Sequence, residues 1–391
     1  MVATEGPYRI LVVDDEPDLE PLVLQRMRRA IRSGRYEFVF AQNGVEALQA
    51  LGDDEDIDMV LSDINMPQMD GLALLSHMPE VAPDVQAVII SAYGDMKNIR
   101  AAMNLGAFDF VTKPVDFEDL RITIERALNN LEAWREATSS RARLIALQNE
   151  LDVAGKMQQA ILPTEFLNKP GYEMYGSMMP ARDVGGDFFD VLYLSNGCIG
   201  LAIADVSDKG VPAALFMMAS RTLLKASALS LKPPGQALRE VNDLLYDDND
   251  AMMFVTLFYA VYDPTTGELT YANGGHNEPL IVRPDGNSSI LPGTSGIALG
   301  VVPEMAYQEK TISIAPGDAI VFYTDGVTEA VNTSEEEFGL PRLQQVFASN
   351  PPTDVKAATQ AVFSAVNDFA GTAPQFDDIT CLVFRRIGSG P

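Results

Sequence analysis

Residues 9–15 read RILVVDD, an apolar run of strand length that turns acidic at once. Four further runs follow the same plan: FVFAQ (38–42), MVLSDI (59–64), AVIIS (87–91) and FDFVTKP (108–114). Helical stretches such as 19–32 and 45–51 lie between them. Short apolar strands alternating with helices predict an α/β doubly wound domain, a parallel five-stranded sheet with helices on both faces. In such sheets functional groups gather beyond the carboxyl ends of the strands. There the runs stop at polar residues: Asp14 and Asp15, Asp63, Ser91 and Lys113.

Converging strand ends put three carboxylates, a hydroxyl and an ammonium in one pocket. Two acidic residues beside a third can hold Mg²⁺, a hard cation that takes few carboxylates and several waters. The metal and Lys113 would neutralise an incoming phosphoryl group while one carboxylate acts as nucleophile. Any one of these residues alone reads as a strand-terminal cap; their wording together, VVDDE, LSDINMPQMDG, IISAYG and TKP, does not. Positions 8–130 closely resemble a response-regulator receiver domain. The resemblance implies phosphorylation of Asp63 by a sensor histidine kinase or other phosphodonor. It also implies Mg²⁺ held by Asp14, Asp15, Asp63 and the carbonyl of Asn65, with Ser91 and Lys113 on the phosphoryl group. Phe110 stands where many receivers carry a Tyr or His whose ring turns on activation.

From about residue 117 to 162 the pattern is a long helical period without Pro. Leu120, Ile124, Ala127, Leu131 and Trp134 alternate spacings of four and three, as a two-stranded seam would. Leu144, Leu147, Leu151, Ala154 and Ile161 resume that alternation, with Gln158 at one seam position and a polar stretch, 137–143, between the halves. The bland reading is an amphipathic helix lying on its own domain. The functional reading is a parallel dimeric coiled coil, interrupted in its middle and stopped by Pro163.

Beyond residue 172 the chain is strand-rich, with helical pairs inserted, which predicts an α+β sandwich. The expected division is a receiver over 1–118, a helical coiled-coil linker over 119–162 and a second catalytic domain over 163–391. Acidic residues again stand at the edges of apolar runs: Asp187 and Asp190, Asp205, Asp325, Asp377 and Asp378. Each alone reads as a turn former. Together, without His or Cys neighbours, they suit two Mg²⁺ or Mn²⁺ ions and suit zinc poorly. A metal pair bridged by an Asp can generate hydroxide at neutral pH and stabilise both oxygens of an in-line phosphoryl displacement.

The phrases AGKMQQAILP, VGGDFFD, ADVSDKG, FVTLFYAVYD, NGGHNEPLI, FYTDGVTEA and DDIT occur in that order over about 155–386. They resemble the PPM serine/threonine phosphatases, in the bacterial SpoIIE/RsbU-type branch. The resemblance implies metal ligands at Asp187, Asp205, the carbonyl of Val206, Asp325 and the pair Asp377–Asp378, with Asp377 preferred as direct ligand and Asp205 as bridge. His276 is expected to shape a loop beside the site, leaving the proton donor unassigned. The branch further implies a phosphorylated anti-sigma-factor antagonist-like protein as substrate. A non-catalytic adaptor that binds a sigma factor or anti-sigma partner is the alternative, and such an adaptor would lack several of these aspartates.

Composition sets the remaining bounds. With 28 basic and 55 acidic residues the formal charge is -27, against nucleic-acid binding. No stretch reaches the roughly 18 apolar residues of a membrane span. Cys198 and Cys381, far apart in apolar runs, are expected to be buried reduced thiols, and the chain is expected to be cytoplasmic. Phosphorylation of Asp63 is expected to stabilise a linker-mediated homodimer that assembles the second metal site.

Overall fold

The computed structural model of the protein describes residues 6–388 apart from 55, 93, 248 and 350. Contacts divide the chain into two units, Met1–Ala146 and Leu147–Pro391. In the first, β1 (Tyr8–Val13), β2 (Tyr36–Ala41), β3 (Ile57–Asp63), β4 (Gln86–Ala92) and β5 (Asp109–Lys113) form one parallel sheet in the order β2-β1-β3-β4-β5. The helices are α1 (Leu19–Arg26), α2 (Arg28–Arg32), α3 (Gly44–Asp53), α4 (Gly71–Val81), α5 (Met96–Asn104) and the start of α6 (Phe117–Ile161). Every residue of β3 is buried. Its centre, Met59–Val60–Leu61, is accordingly apolar, because parallel strands covered on both faces have no solvent side, and the polar Asp58, Ser62 and Asp63 lie toward its two ends. Ala47, Leu51, Leu74, Leu75, Met78 and Ala102 of α3, α4 and α5 pack one face of the sheet. Val23 of α1 packs on the other together with Leu120, Ile124, Ala127, Leu128 and Leu131 of α6.

That last set corrects the seam expected over the first half of the linker. Spacings of four and three mark any helix with one apolar stripe, and here the stripe faces the helix's own sheet. Leu131 is buried in the core, and Arg135 donates to Asp58 at 2.7 Å, whose other oxygen accepts the Arg9 amide at 2.9 Å. From residue 132 to 150 every side chain is exposed. The stretch 137–143 does not interrupt the backbone, because α6 is a continuous helix of 45 residues. Leu144 and Leu147 of the second half of the seam are exposed, whereas Leu151, Ala154 and Ile161 are half-buried on the second unit.

The second unit is a sandwich of two five-stranded antiparallel sheets. Its strands are β6 (Tyr172–Met179), β7 (Phe188–Tyr193), β8 (Ile199–Val206), β9 (Val255–Asp263), β10 (Glu268–Gly274), β11 (Leu280–Val282), β12 (Ser288–Ile290), β13 (Glu309–Ser313), β14 (Ala319–Tyr323) and β15 (Ile379–Arg386). One sheet runs β13-β10-β9-β8-β7, the other β12-β11-β14-β15-β6. Aromatic rings fill the space between them: Phe258 meets Phe322 at 5.7 Å and Tyr262 meets Phe384 at 4.6 Å between centroids. Such pairs add orientation to the area they bury. Helices α7 (Val211–Leu229) and α8 (Pro234–Asp247) cover the first sheet. The second is covered by α11 (Val355–Ala370), with the short α9 (Asp325–Thr328) and α10 (Gly339–Ser349) beside it. Asp190 of β7 pairs with Arg221 of α7 at 3.0 Å in a buried bridge, and so belongs to the frame. Cys381 is buried, Cys198 is half-buried, and neither is in a disulfide. Among the described residues no helix is long and apolar enough to cross a membrane.

Candidate functional site

At the carboxyl edge of the parallel sheet, Lys113 at the end of β5 reaches across to the ends of β1 and β3. Its Nζ lies 2.7 Å from Asp63 Oδ2 and 3.0 Å from both Asp14 Oδ2 and Glu16 Oε1. The other Asp63 oxygen accepts the Ile64 amide at 2.6 Å, so the carboxylate is held from two sides. Asp14, Glu16 and Asp63 offer oxygens that all lie within 4.8 Å of one another, the one such trio among the described residues. Burial lifts the Asp14 pKa, partly offset by the Glu16 amide and Lys113. Burial works against the Lys113 ammonium too, but its hydrogen bonds to Asp63, Asp14 and Glu16 outweigh this and hold its pKa above the ordinary value.

Ser91 completes the pocket in a telling way. Its hydroxyl is fully buried and has no hydrogen-bond partner. Buried polar atoms are nearly always paired, and this unpaired hydroxyl stands on β4 between Ile90, in register with Asp63, and Ala92, in register with Lys113. Asp15 and Asn65 are exposed, and Asp15 stands outside the carboxylate trio. Glu16 is the residue the sequence reading passed over, although it closes the quoted phrase VVDDE. Phe110 is half-buried against the sheet core.

In the second unit the acidic residues come from four places: Asp187 just before β7, Asp205 near the end of β8, Asp325 opening α9, and Asp377 with Asp378 before β15. Asp187 is 1% exposed, and its Oδ2 accepts the hydroxyls of Thr380 at 2.6 Å and Thr324 at 2.7 Å. Burial, then the charges of Asp205 and Asp378, drive its pKa up. Burial and the charges of Asp325 and Asp377 push Asp205 up to about 7. Asp325 is lifted to about 6 by burial, Glu329 and Asp377, with Lys209 pulling the other way. Desolvated like charges that depress one another's ionisation form a group short of positive charge, which is what divalent cations supply. Oxygen donors without nitrogen or sulfur suit Mg²⁺ or Mn²⁺.

The adjacent pair Asp377 and Asp378 divides its work. Asp378 is buried and spends both oxygens on backbone amides: Oδ1 accepts from Ala181 at 2.8 Å, Oδ2 from Gly186 at 2.6 Å and Asp187 at 3.3 Å. It therefore holds the 181–187 segment in shape and carries Asp187 with it. Close approach demands glycine beside it, since a Cβ on Gly326 would lie 2.0 Å from the Asp378 carbonyl oxygen. Asp377 is half-exposed, pairs with Lys209 at 3.0 Å and raises the pKa of both Asp205 and Asp325. Lys209 also donates to the Phe376 carbonyl and lies 3.8 Å from that ring's centroid.

His276 is buried with both ring nitrogens engaged, Nδ1 with Thr256 Oγ1 at 2.8 Å and Nε2 with the Tyr323 carbonyl at 3.2 Å. The carbonyl partner requires Nε2–H, and in the neutral ring Nδ1 then accepts from Thr256. Burial lowers its pKa to about 4. It shapes the 273–276 turn, where its amide donates to Asn273.

Comparison with known proteins matches both units. Residues 10–125 match the response regulator receiver domain family, and residues 195–387 match the family of Stage II sporulation protein E (SpoIIE). Over 264 residues the chain is 30% identical to protein IcfG of Synechocystis, covering 61% of this chain and 41% of that protein. Over 273 residues it is 27% identical to phosphoserine phosphatase RsbU of Bacillus subtilis, covering 69% of this chain and 80% of that protein. Among solved structures, the SiaA-PP2C domain of Pseudomonas aeruginosa superposes with a TM-score of 0.55 at 24% identity, covering 62% of this chain and 98% of that one, which shows a shared fold.

Proposed function

From the premise that this chain joins a response-regulator receiver domain to a PPM phosphatase domain of the SpoIIE type, we propose that it is a phosphorylation-controlled, metal-dependent protein serine/threonine phosphatase. The observation that carries the reading is the set of buried aspartates whose ionisation is suppressed, Asp187, Asp205 and Asp325. The structural aspartates of this unit are satisfied by the chain itself, Asp190 by Arg221 and Asp378 by three backbone amides. Asp187, Asp205, Asp325 and Asp377 are all present, which counts against an adaptor.

Asp187, Asp205, the carbonyl of Val206, Asp325 and Asp377 would hold two Mg²⁺ or Mn²⁺ ions, with Asp205 between them. Such ions, when bound, supply an acidified water and positive charge for a phosphoryl displacement. The chain's own residues do the rest. Thr324 and Thr380 fix the Asp187 carboxylate, and Asp378 holds its backbone. Lys209 keeps an ammonium beside the cluster. His276, neutral and doubly bonded, supports the frame.

In the receiver, Asp63 is the phospho-acceptor, supplied by a sensor histidine kinase or other phosphodonor, with Lys113 and Ser91 receiving the phosphoryl group. Mg²⁺ would be held by Asp14, Asp63 and the Asn65 carbonyl, with Asp15 or Glu16 completing the set. Control would reach the phosphatase through α6. Gln158 of that helix, 4% exposed, donates to the Gly185 carbonyl at 2.5 Å and accepts the Gly185 amide at 2.9 Å. A Cβ on Gly155 would lie 2.3 Å from the Asp183 carbonyl oxygen. The helix thus grips the segment that ends in Asp187, so a shift in α6 is felt at a metal ligand. Exposed Leu144 and Leu147 would join two copies as a homodimer. The substrate would be a phosphorylated anti-sigma-factor antagonist-like protein.

The test is Mn²⁺- and Mg²⁺-dependent release of phosphate from a phosphoserine protein by wild type, Asp205→Ala and Asp63→Ala, with and without acetyl phosphate. Activity lost in Asp205→Ala, and changed by the phosphodonor only where Asp63 is present, is the expected result. Equal rates for wild type and Asp205→Ala would end the enzymatic reading. Sedimentation of Leu144→Asp/Leu147→Asp, expected to be monomeric, tests the dimer.

A further inference from the structure

A cavity of about 170 Å³ opens beside the second carboxylate cluster, and none of the roles above uses it. Its walls are largely apolar: Ala330 and Val331 beyond α9, Val366 and Ala370 in the last turns of α11, and Phe376 in the loop that leads to β15. Gly326 and Asp377 line it as well, so one wall belongs both to the cavity and to the cluster. Phe376 is 77% exposed at the mouth, yet it is held in place by Lys209, which stacks on its ring and pairs with Asp377. An exposed aromatic braced in this way costs hydration unless something covers it.

The chemistry of the walls narrows the occupant. None of the residues that line the cavity is basic, and those that carry charge, Glu329 and Asp377, are acidic. The lining therefore offers a phosphate or an acidic side chain no cation of its own, and Lys209 beside it is already paired with Asp377, which marks the cavity as apolar and not a second phosphate site. Its volume suits one branched aliphatic or similar apolar side chain. A polypeptide whose phosphoserine reaches the aspartates must pass over the neighbouring surface. Extended chain covers about 3.3–3.6 Å per residue, so positions up to three residues from the serine come within reach of a wall shared with the cluster.

We propose that this cavity is a substrate subsite, which takes an apolar side chain of the phosphoprotein within three residues of the phosphorylated serine. The proposal rests on the phosphatase reading above. Apolar pockets discriminate between side chains by about 10–200-fold, so the subsite would select among phosphoproteins that present the same phosphate.

The experiment uses the full chain with Mn²⁺ and three kinds of substrate. These are p-nitrophenyl phosphate, phosphoserine peptides carrying one leucine at each position up to three residues either side, and matched peptides with serine or lysine there. Wild type is expected to prefer a leucine peptide at one position by about tenfold or more in kcat/KM. Ala370→Phe, which fills the cavity from α11, is expected to erase that preference while p-nitrophenyl phosphate is hydrolysed as before. Ala330→Phe fills it from the other wall and gives the same readout should Ala370→Phe lose activity on the small substrate. A wild type that turns over p-nitrophenyl phosphate without favouring leucine at any position overturns the subsite. So does a preference for lysine, or a leucine preference that survives both filled variants. A wild type inert toward every substrate removes the phosphatase reading and the subsite with it, a result distinct from the others.

Discussion

Replacing Asp378 by alanine and, separately, Asp377 by alanine separates scaffold from metal site in two adjacent residues. Asp378→Ala removes the acceptor of three amides, two of which, Gly186 and Asp187, belong to buried residues. A buried donor left unpaired costs about 1–3 kcal/mol. Some of that is offset because the Asp378 carboxylate is itself desolvated, as its burial-raised pKa records. The net loss is about 2–4 kcal/mol. For a unit of this size that lowers the midpoint of its thermal transition by about 4–16 °C. Asp377→Ala removes one partly exposed pair with Lys209 and the acceptor of the Asp378 amide, and relieves repulsion on Asp205 and Asp325. Its stability without metal should fall by about 1–2 kcal/mol, less than for Asp378→Ala. Metal affinity should divide the opposite way in origin: Asp377→Ala loses it directly, with the fold intact. The assay is calorimetry of chelated protein together with Mn²⁺ titration for each variant. The reasoning is refuted if Asp377→Ala is the less stable of the two, or if it binds Mn²⁺ as wild type does.

Protein stripped of metal should lose stability as pH rises from about 4 to about 7, because folded Asp205 keeps its proton to about 7 and Asp325 to about 6 against 3.8 unfolded. The folded state then binds more protons than the unfolded one, which makes the slope negative; urea midpoints that climb over this interval in chelator would show the carboxylates are not frustrated. Gln158→Ala leaves the amide and carbonyl of Gly185 without their partner. It should cost the second unit about 2–4 kcal/mol and weaken Mn²⁺ binding, and unchanged affinity would deny that α6 reaches the metal ligands. Lys113→Ala strips Asp14, Asp63 and Glu16 of their shared ammonium. The receiver should lose about 1–3 kcal/mol at neutral pH, most of it recovered with Mg²⁺; a loss indifferent to Mg²⁺ would point to packing instead.

Both folds were legible because their signals are local. A strand covered on both faces reads as a continuous apolar run, so Ile10–Val13, Met59–Leu61 and Ala87–Ile90, alternating with helices, pointed to a parallel sheet. The clustered aspartates stand at strand boundaries, and a boundary is visible in sequence as the point where an apolar run starts or stops. What α6 does was not legible. Leu120 and Ile124 have the spacing of a dimer seam, but spacing records only that one face is apolar. Tertiary structure decided that this face meets its own sheet, and that Gln158, which looked like a flaw in a seam, is a buried clamp on Gly185. Likewise two neighbouring aspartates are identical as letters. The fold turns Asp378 toward three amides and leaves Asp377 facing Lys209 and the other carboxylates. Sequence by itself determined which residues could ionise, bind and pack; only the folded chain decided which of them are left without a partner, because pairing depends on groups that lie far apart along the chain.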